Sequence, residues 1–282
     1  MIVISHHQAR DMLDAFLLGK KRISVSLDLG LTESDVTLDG DVFMLPGGAR
    51  ISMKDVKKIR DDIKVCYTLI DDIAMKVQFF SDETRKFYKL LPTGAKTPPT
   101  MEISGIRMHV TKLMDPLKDT ENKIGQIEPI YGKVLDTCTG LGYTAIMCAE
   151  HGAEEVVTCE IDENSIHVAE HNPWSSQLFD NKRIRRLSGD VFNLIKKMKN
   201  YSFDRVIHDP PSFSLAGLLY SYKFYDQLFR VMKAPSKLYH YTGSPGSKKR
   251  GINLATNVAE RLKKAGFSNV RPVHYGIACE KV

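Results

Sequence analysis

From residue 133 to the C-terminus, short apolar runs alternate with helix-length amphipathic segments. No other feature of the chain restricts its fold as much. Lys133–Asp136 reads as a strand, Tyr143–His151 as a helix, Glu155–Glu160 as a second strand and Asn164–Asn172 as a second helix. Arg183–Leu187, Val191–Met198 and Arg205–His208 continue the series as strand, helix and strand. Ser221–Met232 is predicted helical because Phe224, Leu228 and Val231 fall on one face, and Lys237–Tyr241 follows as a fifth strand. A helix over Asn253–Ala265 and β-like segments at 269–274 and 276–281 close the chain. Such alternation implies an α/β fold with a largely parallel sheet covered by helices on both faces. The last two strands would add an antiparallel pair at one edge.

The first hundred residues have a different rhythm. Residues 8–20 have helical spacing, with Met12, Leu13, Phe16 and Leu17 on one face. Short β-like segments at 22–29, 35–38 and 42–45 follow, separated by turns rich in Gly and Asp, and a further β-rich set spans 65–80 and 85–91. The breaker-rich TGAKTPPT at 93–100 is the natural boundary, giving a β-rich N-terminal domain at 1–100 and a second domain at 101–282. A length of 282 residues suits that division. With 43% hydrophobic and 26% charged residues the chain can bury a core, which excludes wholesale disorder. No apolar run approaches the roughly 18–20 residues of a membrane span, and MIVISHHQARDML lacks the pattern of a secretory signal. Five scattered cysteines without a CxxC pair argue for a reducing, cytoplasmic setting and against a zinc site.

Charge is unevenly distributed. Residues 1–181 hold 20 Lys and Arg against 28 Asp and Glu, whereas residues 182–282 hold 20 against 6, a net of +14. A basic third of this kind suits a polyanionic partner or a merely solvated surface.

Four stretches carry chemistry. In VLDTCTGLGYTA (134–145) a strand ends at Asp136, a loop with Gly140 and Gly142 follows, and a helix opens. Glycines admit a ligand close to the backbone and the helix N-terminus offers unpaired N–H groups, although a tight turn without a ligand would look similar. Glu160, ending the next strand, is placed to accept from the two ribose hydroxyls of a nucleoside. Asp190, after the third strand, suits an adenine amine or a helix N-cap, with Val191 and Phe192 able to pack on a base. In HDPPSFS (208–214), two prolines stiffen the loop after the fourth strand. The Asp209 carboxylate and neighbouring carbonyls then form a fixed acceptor set beside Phe213, suited to a planar base bearing an NH2 group.

Together DTCTGLG, Glu160, GD at 189–190 and DPPSF resemble the class I S-adenosylmethionine-dependent methyltransferases over roughly residues 115–282. The last element is similar to the [DNS]PP[YFW] signature of amino-methyltransferases, departing from it in Ser212 before Phe213. The chain also resembles an archaeal family of predicted methyltransferases with a β-rich N-terminal extension. The resemblance implies a Rossmann-like sheet and S-adenosyl-L-methionine as cofactor. It implies that Asp136, Thr137, Gly140 and Gly142 hold the methionine part, Glu160 and Ile161 the ribose, and Asp190 and Val191 the adenine. Asp209, Pro210, Pro211 and Phe213 would form the catalytic set. The implied reaction is methylation of an exocyclic amine of an RNA base, foremost N4 of cytidine in ribosomal RNA. The alternative is methylation of a protein side-chain amide or a small amine.

Carbon methylation is disfavoured because no cysteine lies between residues 160 and 278. Lys248, Lys249 and Arg250, with Arg183, Arg185 and Arg186, are the candidate RNA contacts. The His167/His171 pair lacks a third ligand, so no metal is expected. The N-terminal domain is left as an RNA-binding, dimerising or capping module. A non-enzymatic subunit is disfavoured by the intact acidic set. Aminopropyl transfer, which uses a similar fold, is disfavoured because a polyamine calls for clustered acidic residues, and the last third of the chain is basic.

Overall fold

The computed structural model describes residues 1–243 and 254–282, and Lys248, Lys249 and Arg250 lie outside them. The chain divides into two compact units. One comprises Met1–Asp119 with Asn164–Ser176, the other Thr120–Glu163 with Gln177–Val282.

The second unit carries a seven-stranded sheet. Its strands are β1 (Lys133–Asp136), β2 (Glu155–Glu160), β3 (Ile184–Ser188), β4 (Phe203–His208), β5 (Met232–Tyr241), β6 (Ser268–Val273) and β7 (Gly276–Lys281). The order across the sheet is β3-β2-β1-β4-β5-β7-β6. Strands β1 to β5 are mutually parallel, while β7 runs antiparallel to both β5 and β6. The α/β expectation holds, including the antiparallel edge pair. Chain order reverses between β1 and β4, and at such a point the loops leaving two neighbouring strands diverge and open a crevice.

The helices of this unit include α1 (Tyr143–Glu150), α2 (Val191–Leu194), α3 (Tyr222–Val231) and α4 (Leu254–Lys264). Helix α3 starts where the Ser221 side chain accepts from the Phe224 N–H, and it buries Phe224, Tyr225, Leu228 and Val231. These side chains meet Leu135, Val206 and Leu238 from the strands and Val258 and Leu262 from α4 in one apolar core. Removing each such side chain from water contributes about 1.5–3 kcal/mol. Strand β5 begins earlier than the periodicity suggests. Met232 pairs with Phe203, the register then shifts, and Lys237 pairs with Arg205.

The first unit is β-rich, as expected. It contains a three-stranded sheet and two four-stranded sheets with antiparallel pairing. The helix His6–Leu17 opens with a capping box in which Ser5 and Gln8 bond reciprocally. A second helix, Met53–Asp61, was not anticipated, although Ser52 caps it and Met53, Val56 and Ile59 share its buried face. Strand Thr100–Ile103 pairs with Lys86–Leu91. Among the described residues, no helix is long and apolar enough to cross a membrane.

Candidate functional site

Strand β1 ends at Asp136, which is fully buried. Thr158 Oγ1 donates to Asp136 Oδ2 at 2.6 Å, and Thr139 Oγ1 lies 2.6 Å from Thr158 Oγ1. Asp136 Oδ1 has no hydrogen-bond partner among the described residues. Burial pushes the Asp136 carboxyl up to about 7; the nearby charges of Asp209 and Glu160 add to the effect, and the hydroxyls of Thr158 and Thr144 oppose it. A buried carboxyl with an orphaned oxygen is complementary to a cationic ligand group. The loop beyond it turns at Gly140 and Gly142, with φ of 53° and 82°. A Cβ at Gly142 would also come within 2.8 Å of Leu178 Cδ2, so glycine is required there twice over. At Gly140 a Cβ would meet nothing within 4 Å, leaving open space above the loop.

Glu160 closes this loop from β2. Its Oε2 accepts from Gly140 N at 2.9 Å, and its Oε1 accepts from the N–H groups of Ile161 and Asp162, both at 3.0 Å. A carboxylate offers about four lone-pair sites, so most of its capacity serves the backbone. Burial raises its pKa and the three backbone donors oppose that rise. Ile161 stands beside it with 66% of its surface exposed, an apolar side chain available to a planar ring. Asp190 caps α2, with Oδ1 accepting from Phe192 N at 2.9 Å and Oδ2 from Asn193 Nδ2 at 3.0 Å. Val191 behind it is buried.

The acceptor loop leaves β4 at Asp209. Pro210 is buried, and the Pro211 carbonyl accepts from Tyr220 Oη at 2.9 Å. Phe213 is exposed and meets the Tyr220 ring edge-on at 5.5 Å. Tyr220 and Tyr225 are core residues. Asp209 Oδ2 is 2.6 Å from Lys123 Nζ. Lys123 lies on the helix Pro116–Ile124, distant in sequence, so nothing in the linear chain announces it.

His208, at the end of β4, also escaped the sequence reading. Its Nε2 is 2.9 Å from the Leu219 carbonyl, which can only accept, so Nε2 carries the proton. Nδ1 therefore accepts from Thr137 Oγ1 at 2.7 Å. Burial lowers the His208 pKa to about 3 and that of neighbouring His240 well below its ordinary value. Both are neutral; His208 links the end of β1 to the segment after β4, while His240 on β5 bonds the Tyr225 hydroxyl at 2.8 Å, and the two rings lie 4.3 Å apart.

Of the basic residues expected to hold RNA, the three described ones make contacts within the protein. Arg183 Nη1 donates to the Ala149 carbonyl at 3.1 Å, Arg185 pairs with Glu155 at 3.4 Å, and Arg186 stacks on Phe179 at 4.4 Å. Among the described residues no group of three or more potential metal ligands occurs.

The family model described as the spermine/spermidine synthase domain matches residues 133–278. An uncharacterized protein of Methanocaldococcus jannaschii is 45% identical over 258 residues, covering 90% of this chain and 86% of that one. Polyamine aminopropyltransferase 2 of Streptomyces coelicolor is 30% identical over 147 residues, half of this chain and 26% of that protein. Among solved structures, a spermidine synthase in complex with the transition state analogue AdoDATO superposes with a TM-score of 0.59 at 18% identity. The superposition covers 79% of this chain and 83% of that one. That likeness establishes the fold.

The family match overturns the expected reaction. Methyl transfer to an RNA base, with cytidine N4 in ribosomal RNA foremost, does not stand. Nor does its alternative, methylation of an amide or small amine, or S-adenosyl-L-methionine as a methyl-donating cofactor. An RNA partner is likewise unsupported. The error has two physical sources. The glycine loop and its flanking carboxylates suit a sulfonium nucleoside whichever substituent leaves. The +14 of the last third, taken from the sequence, does not say where the charges sit, whereas the fold gathers Asp136, Glu160 and Asp209 at one end of the sheet. That acidic end removes the objection to a polyamine-type reaction, and the match runs from the first residue of β1 into β7. The chain belongs to the spermine/spermidine synthase domain family.

Proposed function

We propose that this protein transfers the aminopropyl group of decarboxylated S-adenosylmethionine to an amine nitrogen of an acceptor held at Asp209. The family match carries the reading, because it spans the elements that build the carboxyl end of the sheet. The structure supports it with the orphaned Oδ1 of Asp136. A decarboxylated donor ends in an ammonium group, which complements that buried carboxyl. In this reading Asp136, Thr137, Gly140 and Gly142 hold the donor's aminopropyl end. Glu160 uses its remaining acceptor site on the ribose beside Ile161, and Asp190 and Val191 face the adenine.

The acceptor nitrogen attacks the methylene carbon bound to sulfur. A C–N bond forms as the C–S bond breaks, and its electron pair returns to sulfur as a neutral thioether. The extra proton on nitrogen passes to the Asp209 carboxylate. Positioning supplies much of the acceleration, since the sulfonium is already a good leaving group. Pro210 and Pro211 stiffen the loop that carries Asp209, and Phe213 lies against Tyr220 at its rim.

The test is incubation of the protein with decarboxylated S-adenosylmethionine and a panel of amines (putrescine, spermidine and agmatine), with mass spectrometry of the products. Methylthioadenosine and an aminopropylated amine are expected, with no product when S-adenosylmethionine replaces the donor. Absence of methylthioadenosine with every amine overturns the reading.

A further inference from the structure

The carboxylate assigned to the acceptor already has a cation beside it. Lys123 Nζ sits 2.6 Å from Asp209 Oδ2, the lysine side chain is 3% exposed and the aspartate 21%. The same ammonium lies 5.1 Å from the centre of the Tyr241 ring at the end of β5. A charge held this far from water is weakly screened, so it acts strongly on whatever binds next to Asp209.

An aliphatic amine presents a difficulty to any transferase that uses it as a nucleophile. With an ordinary pKa of about 10.4, only about one molecule in a thousand has a lone pair at neutral pH. The carboxylates at this end of the sheet, Asp209 in the loop after β4, Asp136 on β1 and Glu160 on β2, favour the protonated and unreactive form. Asp119, one turn earlier on the helix of Lys123, is a further buried carboxyl. The other ionisable groups here include the phenols of Tyr220 and Tyr241, the Cys138 thiol and the imidazoles of His208 and His240; burial raises the pKa of Tyr220 and of Cys138 and keeps both imidazoles neutral. Lys123 supplies the opposing field.

We propose that Lys123 is a built-in cation of the acceptor site, keeping the incoming amine uncharged and nucleophilic while holding Asp209 ready for its proton. This rests on the aminopropyl-transfer reading of the site. Lys123 is a positioning residue that acts through Asp209 and through its field, with the bond changes given above.

The pH dependence of kcat at saturating donor and putrescine, which reports ionisations in the bound complex, tests this in wild type, Lys123→Met and Lys123→Arg. A like charge within about 4–6 Å shifts an amine by about 1–3 pH units. The rise of kcat should therefore move to higher pH by about one unit or more in Lys123→Met, and return close to the wild-type position in Lys123→Arg. A structural role would lower the rate without moving the profile, and coincident profiles overturn the proposal. Should Lys123→Met fail to fold, Lys123→Gln carries the same measurement.

A second arm needs no turnover. Putrescine binding is followed by calorimetry in two buffers of different ionisation heat. Wild type should release close to one proton per putrescine bound, and the neutral variants much less. Binding without proton release in wild type, or equal release in wild type and the neutral variants, overturns the inference. So does the absence of binding at millimolar putrescine. Failure of the aminopropyl-transfer reading appears separately, as missing methylthioadenosine from wild type.

Discussion

The two ends of the parallel sheet compensate their charges differently. At the carboxyl end Asp136, Glu160, Asp190 and Asp209 stand at the end of a strand or in the turn after it, with Lys123 against Asp209. At the amino end Lys133, Arg183, Arg185 and Arg205, with Lys233, Lys237 and Lys281 along the β5–β7 pair, meet the carboxylates of Glu155 and Asp204 and a set of backbone carbonyls. The difference follows from the architecture. Helices return antiparallel to the strands, so their C-termini and outward carbonyls collect at the amino end, where cations are favourable. Arg205 Nε donates to the carbonyls of Ile127 and Pro129, Lys281 Nζ to those of Phe229 and Met232, and Arg183 to that of Ala149. Many basic residues of the last third are thus framework. The acidic residues gather at the carboxyl ends of the strands, where the proposed reaction would place its cationic substrates. Net charge counted along a chain mixes these two populations, and only the fold separates them.

The sharpest way to break this contrast is to neutralise one residue at each end. Asp209→Asn should lower kcat by about 10²–10⁴-fold while leaving donor affinity within about threefold, read by steady-state kinetics and calorimetry. Equal loss of donor binding would move Asp209 out of the acceptor role. At the other end, Arg205→Met should leave the buried carbonyls of Ile127 and Pro129 without their donor. It should cost about 2–4 kcal/mol in urea unfolding, with kcat retained in the folded fraction.

Asp136 gives a pH signature of intermediate size. Its folded pKa, near 7, lies above its unfolded value, so the native state holds the extra proton between about pH 4 and 7. The stability of wild type relative to Asp136→Asn should therefore fall as pH rises through that window. Affinity for the cationic donor should rise over the same range by about tenfold in wild type and stay flat in the variant. A flat wild-type profile would mean that Asp136 is ionised throughout. The smallest effect belongs to Arg185→Gln. Its pair with Glu155 is solvent-exposed, and stability should change by less than about 0.5 kcal/mol.

The alternation after residue 133 was legible because strands and helices differ in hydrophobic period, and the sheet follows it almost element by element. Strand-end residues such as Asp136 and Glu160 were legible for the same reason, since a motif between a strand and a helix has only one edge to occupy. Asp190 shows the limit of that logic, because a cap and a ligand contact require the same residue at the same place. Lys123, His208 and Thr158 were not legible. Their partners lie far away in sequence, and buried polar pairs leave no periodic trace. The proposed transferred group was hidden for a different reason. Methyl and aminopropyl groups depart from the same kind of sulfonium, and a strand–loop–helix of this kind would hold the nucleoside in the same way whichever one goes.

Beneath the glycine loop, the hydroxyls of Thr158 and Thr139 form a chain with a direction. Thr158 gives its proton to Asp136, so it can only receive from Thr139. Were Asp136 to take up a proton on Oδ2, Thr158 would become the receiver and could turn its own hydroxyl toward Thr139. The charge on one hidden carboxyl is thereby written into the orientation of two hydroxyls, the outer of which belongs to the residue just before Gly140. In the proposed reaction, a donor that fixed that charge would also fix the polarity of the floor beneath it.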